Sequence, residues 1–375
     1  MEHRQKNSID WLLFGSMLPI IGAGLITMSG LGSDAKSFFL KQSIFAIISI
    51  ILFFLSSRFD VRIFKESRLL MRLFVAFLSI LLVLFIVGHT AKGAKSWFSF
   101  GGFSFQPVDA MKLVVILLLA KYFSRRHVAI GDWKHVIVSS VYAFVPFILV
   151  FLQPDFGSAM VIFFVWFGML LTSGLRRKQL LILVSVGIVA FACLWVGVFK
   201  PYQKARIENF LNPMSDIRGS GYNVYQSTIA VGSGQFLGKG VGFGTQSRLQ
   251  YLPEYQTDFI FSAFAEEWGF LGSVLLLLFY LVLIWRIIYI AQIGATNFEI
   301  LFGTGIAILF ISHIVINVGM NIGLMPVTGI PLPLMSYGGS HLLMECVALG
   351  LLSSTLRYSR ATHPDRMKNE FLGSV

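Results

Sequence analysis

The sequence predicts an all-α protein that crosses a membrane about ten times, with one large loop between its seventh and eighth spans. Three observations predict it. Of 375 residues, 56% are hydrophobic and 13% charged, and the mean hydropathy is +0.76; soluble domains carry about 25% charged residues. The apolar residues collect into runs close to the ~20 residues that a bilayer crossing requires. The Lys and Arg residues fall mostly on one side of those runs.

The runs lie near residues 10–28, 41–57, 69–88, 108–124, 136–152, 157–173, 179–198, 259–289, 299–320 and 338–356. The fifth and sixth are separated only by Gln153-Pro154-Asp155, and the eighth is long enough to tilt. If the N-terminus faces the cytoplasm, the cytoplasmic segments hold 19 Lys and Arg, the short outer loops five, and the long loop 199–258 the other six. Cationic loops stay inside, so both termini are expected in the cytoplasm and loop 199–258 outside. The first run follows Arg4 and Lys6, is long for a signal peptide and lacks a small-x-small cleavage site, so it reads as a retained span. The formal net charge of +12 reflects cytoplasmic loops facing anionic membrane lipid and gives no reason to expect nucleic acid. Cys193 and Cys346 sit in apolar runs and read as buried thiols, with no metal or disulfide spacing. Nothing divides residues 1–375 into more than one membrane domain.

The outer segments hold the unusual residues. Residues 89–107 alternate aromatic and polar side chains around Gly101-Gly102 and read as a short interfacial hairpin anchored by Trp97. Gln106-Pro107-Val108-Asp109 then opens a helix, with Pro near N1 and an early acid. Lys112 is spaced to pair with Asp109 on one face. Gln153-Pro154-Asp155 echoes that start. In loop 199–258, Ile229-Ala230-Val231 suggests a short surface or re-entrant helix, because an unstructured loop this long would be unusual. Three prolines in residues 325–333 prevent a regular helix. Broken backbone at membrane depth needs protein or a water-filled cavity around it, so this stretch reads as a cavity wall.

Of the 18 acids, six fall at or within outer helix ends: Asp109, Asp155, Asp258, Glu266, Glu267 and Glu345. Ionisable groups there are costly and mark function. Asp258 alone could be a helix N-cap, but a cap does not account for Glu266 or Glu267. Asp258 and Glu266 are eight residues apart, about 12 Å along a helix at 1.5 Å per residue, too far for the ~5 Å carboxylate pair of a retaining glycosidase. Glu345, within an apolar run, is expected to have a basic or polar partner. His313, His341 and Cys346 read as helix-packing residues.

The strings GTQSRLQYLPEYQTDFIFSAFAEEWGFLG (244–272), QPDFGSA (153–159) and GLMPVTGIPLPLMSYGGS (323–340) resemble the signature stretches of the SEDS family (shape, elongation, division and sporulation). The likeness runs from about residue 10 to 358, and the GTQS spelling is closer to the RodA branch than to the FtsW branch. The resemblance implies a glycosyltransferase that polymerises lipid II into peptidoglycan for cell elongation and rod shape. It also implies a class B penicillin-binding protein as transpeptidase partner. Such chemistry needs a base for the acceptor hydroxyl, which Asp258 can be. It also needs cations for a departing pyrophosphate, for which Arg206, Lys204, Arg248 and Lys112 are candidates. Arg206 precedes Phe210-Leu211-Asn212-Pro213, as an arginine precedes the FLxP string in the family pattern. Asp109, Asp155, Glu266 and Ser336 complete the candidate substrate-binding set. No metal-ligand spacing is visible, and a divalent cation such as Mg is the cofactor to consider. Two other classes fit ten helices with broken segments: a lipid-precursor flippase or transporter, and a non-catalytic scaffold of the elongation or division complex. The clustering of acids at one mouth argues against the transporter.

Overall fold

The computed structural model describes residues 9–30, 35–87, 89–91, 94–100, 103–125, 132–197, 199, 201–212 and 220–362. Ten long helices correspond to the ten expected spans: α1 (Trp11–Gly30), α2 (Ala35–Ser56), α3 (Ser67–Val87), α4 (Pro107–Ser124), α5 (Trp133–Leu152), α6 (Phe156–Thr172) and α7 (Arg177–Gly197), then α11 (Ile260–Gln292), α12 (Asn297–Asn321) and α13 (Gly339–Thr362). Among the described residues between α7 and α11 are three shorter helices, α8 (Pro201–Leu211), α9 (Ser220–Ser233) and α10 (Thr245–Arg248). Eight of the ten are long and apolar enough to cross a membrane; α6 is apolar but only 17 residues long, and α4 carries Asp109, Lys112 and Lys121. The chain is a multi-pass membrane protein.

Helix α4 is the axis of the bundle, buried from Pro107 through Ala120 and packed against α3, α5, α6, α12 and α13. Helix α7 is the opposite case: Gln179 is its one buried residue, and Leu181, Val186 and Ile188 are mostly exposed. Apolar surface of that extent is stable only against lipid. At one end of the bundle, Arg286 of α11 grips Asp10 with Nη2–Oδ2 at 2.7 Å, and Arg62 Nε pairs with Glu299 Oε1 at 2.9 Å. Asp109, Asp155 and Asp258 are at the start of α4, α6 and α11, the other end.

The paired strands of the expected hairpin form, while its turn at Gly101-Gly102 lies outside the described residues. Strands β2 (Ala94–Phe100) and β3 (Phe103–Phe105) pair antiparallel with Phe98 opposite Phe105 and Phe100 opposite Phe103; β1 (His89–Ala91) adds a third strand to β2. The expected surface helix in the long loop is α9, which docks into the bundle instead of lying on its surface. Its buried Ser227 donates through Oγ to the Asn321 carbonyl at 2.8 Å and lies 2.6 Å from Ser262 Oγ.

Helix α11 is broken at Gly269, where φ is 68°, a conformation that glycine adopts without steric cost. Loop backbone takes over the interrupted hydrogen bonds: Lys239 N donates to Glu266 O at 3.0 Å, and Phe270 N to Gln235 O at 2.8 Å.

Candidate active site

Four helices start at one cavity. Its wall includes Gln106 and Asp109 at the start of α4, Asp155 and Ser158 at the start of α6, Thr257 and Asp258 ahead of α11, and Gly338 and His341 at the start of α13. The cavity measures about 140 Å³, and Trp97, Lys112, Arg206, Thr328, Gly329, Pro331 and Tyr337 also line it. Helix N-termini carry partial positive charge and unpaired N–H groups, so their convergence favours anions, whether side-chain carboxylates or a ligand.

Asp258 is held by its backbone. Its carbonyl accepts from Asn317 Nδ2 at 2.9 Å and Asn321 Nδ2 at 3.0 Å, two amides one turn apart on α12. The N-cap of α11 is the following residue, Phe259, so Asp258 precedes the cap position. A methyl group built on Gly329 would sit 3.6 Å from Asp258 Oδ2, which places the carboxylate against the proline-rich stretch. Gly329 has φ 75°, and its missing side chain leaves that approach open.

The chain between α12 and α13 is non-helical, as its prolines dictate, and it forms part of the cavity wall. Its carbonyls meet side-chain donors in place of helical ones. Asn317 Nδ2 donates to Ile330 O at 2.8 Å, Tyr280 OH to Pro333 O at 2.5 Å, and His313 Nδ1 lies 3.2 Å from Pro331 O. This satisfies broken backbone at membrane depth. Ser336 belongs to the same stitching. Its Oγ donates to Thr257 O at 2.6 Å and accepts from Leu332 N at 2.8 Å, tying the wall to the residue before Asp258.

Asp155 caps α6 by accepting from Ser158 N at 3.0 Å, and its other oxygen accepts from Gln106 Nε2 at 3.0 Å. Burial pushes its carboxyl above the usual range, against the Ser158 amide, which favours the ionised form. Lys112 Nζ lies 3.0 Å from Asp109 Oδ1, as the spacing suggested, and 3.4 Å from His313 Nε2. His341 Nδ1 lies 3.2 Å from the same Asp109 oxygen, and its Nε2 lies 2.9 Å from Glu345 Oε1, a close ionic contact without hydrogen-bond alignment. Glu345 thus has its expected partners, His341 and the Leu334 amide, which donates at 2.8 Å. The packing role expected of His313 and His341 is incomplete, because both rings belong to a polar network beneath the cavity. The i,i+4 spacing of His341 and Glu345 was the available signal, as was that of Asn317 and Asn321.

The other sequence candidates divide. Arg206 lines the cavity with Nη1 3.5 Å from Thr328 O. Lys204, two residues away on α8, places Nζ 5.9 Å from the Trp195 ring centre and is not part of the wall. Arg248 is exposed on α10, also away from the wall. Glu266 is fully buried elsewhere. It pairs with Lys239 Nζ at 2.7 Å and accepts from Thr245 Oγ1 at 3.0 Å and Gln246 N at 3.1 Å, so it anchors the loop that carries α10. Among the described residues, no group of three or more His, Cys, Asp or Glu side chains is placed to hold a metal ion.

The family model described as cell cycle protein, covering FtsW, RodA and SpoVE, matches residues 7–361. The chain belongs to this family. Its relatives include stage V sporulation protein E of Bacillus subtilis (strain 168), 37% identical over 95% of this chain and 99% of that protein. The peptidoglycan glycosyltransferase MrdB of Escherichia coli (strain K12) is 36% identical over 75% of this chain and 76% of its own length. Among solved structures, the rod shape determining protein RodA of Thermus thermophilus superposes with a TM-score of 0.70 at 30% identity, covering 96% of this chain and 99% of that one. A chain from a peptidoglycan synthase complex, described as coordinating polymerization and crosslinking, superposes at 0.80 with 30% identity and the same coverage.

Proposed function

We propose that this protein is a peptidoglycan glycosyltransferase that polymerises lipid II into glycan strands at the outer face of the bacterial cytoplasmic membrane, with both termini in the cytoplasm. The observation that carries the reading is the cavity itself: Asp258 shares one wall with Arg206 and Lys112, where four helices start. The names of the family relatives support it.

In this reading the acceptor sugar hydroxyl loses its proton to the Asp258 carboxylate as its oxygen bonds to the donor's anomeric carbon. The carbon–oxygen bond to the lipid pyrophosphate breaks, and the pair of electrons leaves with the phosphate. Arg206 and Lys112 take up that charge. Asp109 and Asp155 hold Lys112 and the mouth of α6 in place. A divalent cation such as Mg belongs to this proposal as a counter-ion carried on the pyrophosphate. If EDTA leaves the polymerisation rate unchanged, the ion drops out. The bare apolar face of α7 is suited to membrane lipid and the polyprenyl tail. Elongation is the proposed setting, supported by the GTQS spelling at residues 244–247. A class B penicillin-binding protein is the proposed partner, because no transpeptidase serine motif is seen in the sequence.

The test is polymerisation of purified lipid II by the purified protein, with and without a class B partner. Glycan chains that a muramidase digests are expected. No polymer in the presence of the partner overturns the reading. A cysteine introduced into loop 199–258 should react with an impermeant thiol reagent from outside intact cells; reaction only after lysis reverses the orientation.

A further inference from the structure

The polar network beneath the cavity presents its charges unevenly. Asp109, Lys112, His341 and Glu345 are each at most 7% exposed. Burying ions is costly unless they are paired, and these four balance if both bases are protonated. The placement of the two rings supports that assignment. Each ring nitrogen of His341 faces a carboxylate oxygen, at 3.2 and 2.9 Å. A neutral imidazole would turn a lone pair toward one of them, so the ring is an imidazolium. His313 is the opposite case. Its Nδ1 faces the Pro331 carbonyl, which only accepts, and its Nε2 faces Lys112, which only donates. That ring is neutral with its proton on Nδ1. It stacks on His341 with centroids 5.0 Å apart.

Position decides what the cavity receives. Lys112, His341 and Asp109 line the main cavity, whereas Glu345 lines only a smaller void of about 20 Å³ behind them. This network therefore shows the cavity two cations and one anion, with the balancing carboxylate one helical turn deeper; Arg206, Asp155 and Asp258 line the same cavity. Lys112 has three N–H donors; Asp109 and His313 take two, which leaves a third for the cavity. Asp109 Oδ2 is buried without a hydrogen-bond partner among the described residues. Unfilled acceptor capacity of this kind calls for a donor, which water or a sugar hydroxyl supplies and the pyrophosphate itself does not.

We propose that His341 is the third cation of a pyrophosphate site, alongside Lys112 and Arg206, kept charged by Asp109 in front and Glu345 behind. The proposal deepens the glycosyltransferase reading and rests on it for the identity of the ligand, a polyprenyl pyrophosphate. The titratable and charged groups facing His341 are Asp109 and Lys112 from α4, His313 from α12 and Glu345 from α13. Asp155, Asp258, Arg206 and Tyr337 face it across the cavity.

The probe is farnesyl pyrophosphate, titrated calorimetrically into the full-length protein in nanodiscs between pH 6 and 9, with farnesol as control. His341→Gln should weaken pyrophosphate binding roughly tenfold, through loss of one nearby positive charge in a poorly solvated site, and leave farnesol unchanged. His341→Lys, which keeps the charge, should retain most of the affinity. Glu345→Gln should bind normally at pH 6 and lose affinity toward pH 8, as the ring loses its rear counter-charge. Equal binding by wild type and His341→Gln overturns the proposal, as does absence of binding by the wild type. If His341→Gln does not fold, weak binding by His341→Lys together with a flat pH profile for Glu345→Gln overturns it instead. A wild type that binds pyrophosphate through His341 yet never polymerises lipid II keeps the site and removes the glycosyltransferase reading.

Discussion

Asn317 holds two strands of chain with one amide: its Nδ2 donates to Asp258 O at 2.9 Å and to Ile330 O at 2.8 Å. The candidate base and the proline-rich wall are thereby fixed to each other through α12. Asn317→Ala takes this donor from the Ile330 carbonyl, at about 1–3 kcal/mol, and leaves the Asp258 carbonyl to Asn321 Nδ2. It also frees Asp258 to move. The expected result is a lower apparent melting temperature and a fall in polymerisation of at least ~10²-fold, since a 1 Å misplacement of a reacting group costs about that much. A variant that melts lower but polymerises normally shows that the clamp serves stability alone.

Asp258→Asn separates the base from the structural part of this residue. Asp258 precedes the cap position of α11, Asn keeps its shape, and the backbone contacts with Asn317 and Asn321 do not involve the side chain. The variant should therefore fold, reach the membrane and keep its melting temperature. Its polymerisation rate should drop about 10²–10⁴-fold, the usual contribution of a positioned base. Near-normal glycan synthesis would remove Asp258 from the chemistry.

Glu266 serves a different purpose, so its loss should look different. Glu266→Gln breaks the 2.7 Å contact with Lys239 and weakens the anchor of α10. Lys239 is 29% exposed, so the expected cost is about 1–2 kcal/mol, less than for a fully buried pair. Limited proteolysis should show faster cleavage within residues 236–250 than in the wild type, whereas Asp258→Asn shows no change. If cleavage there is unaltered, Glu266 does not anchor the loop.

The helices were legible because lipid imposes a simple rule. Each span must be apolar, and each loop exposes its charges, so ten runs translate into ten helices within a few residues. The proline-rich break and the paired strands at 89–107 were legible for local reasons of backbone chemistry. The site was legible only in part. Asp109, Asp155, Asp258, Lys112 and Arg206 meet at one cavity, whereas Lys204, Arg248 and Glu266 belong to the same stretches yet lie elsewhere. Their placement depends on how α8 and the 239–247 loop dock, and sequence spacing does not encode that. His341 and Asn317 were passed over because an isolated polar residue on an apolar helix reads as packing. Their partners, Asp109 and the Asp258 backbone, are more than 50 positions away in the chain.

Asp155 ties stability to pH. Its folded carboxyl titrates above the unfolded value of about 3.9, because burial disfavours the ionised form. The penalty is absent below that unfolded value, grows as the pH rises toward the folded one, and is complete above it. Asp155→Asn keeps the cap on Ser158 without the charge. It should raise the apparent melting temperature at pH 7.5 and give no gain below about pH 4, where both versions are neutral. Polymerisation should fall in the same variant, the trade between stability and activity expected at a working site. Equal melting at both pH values would mean that the carboxylate is adequately solvated where it stands.

Arg206 is the cation whose chemistry is hardest to replace. Its Nη1 sits 3.5 Å from Thr328 O, a long contact, and the guanidinium lines the cavity that Asp258 shares. A planar fork can bind two phosphate oxygens at once; a lysine ammonium in its place is a single charge. Arg206→Ala should lower kcat/KM for lipid II by about 10–100-fold, the range for losing a charge-assisted contact. Arg206→Lys should recover part of that loss, and high salt should reduce the difference between the two variants by screening the remaining charge. Full recovery by lysine would indicate charge without bidentate geometry. Normal activity in Arg206→Ala would return this arginine to the ordinary loop cations and leave Lys112 to hold the leaving group.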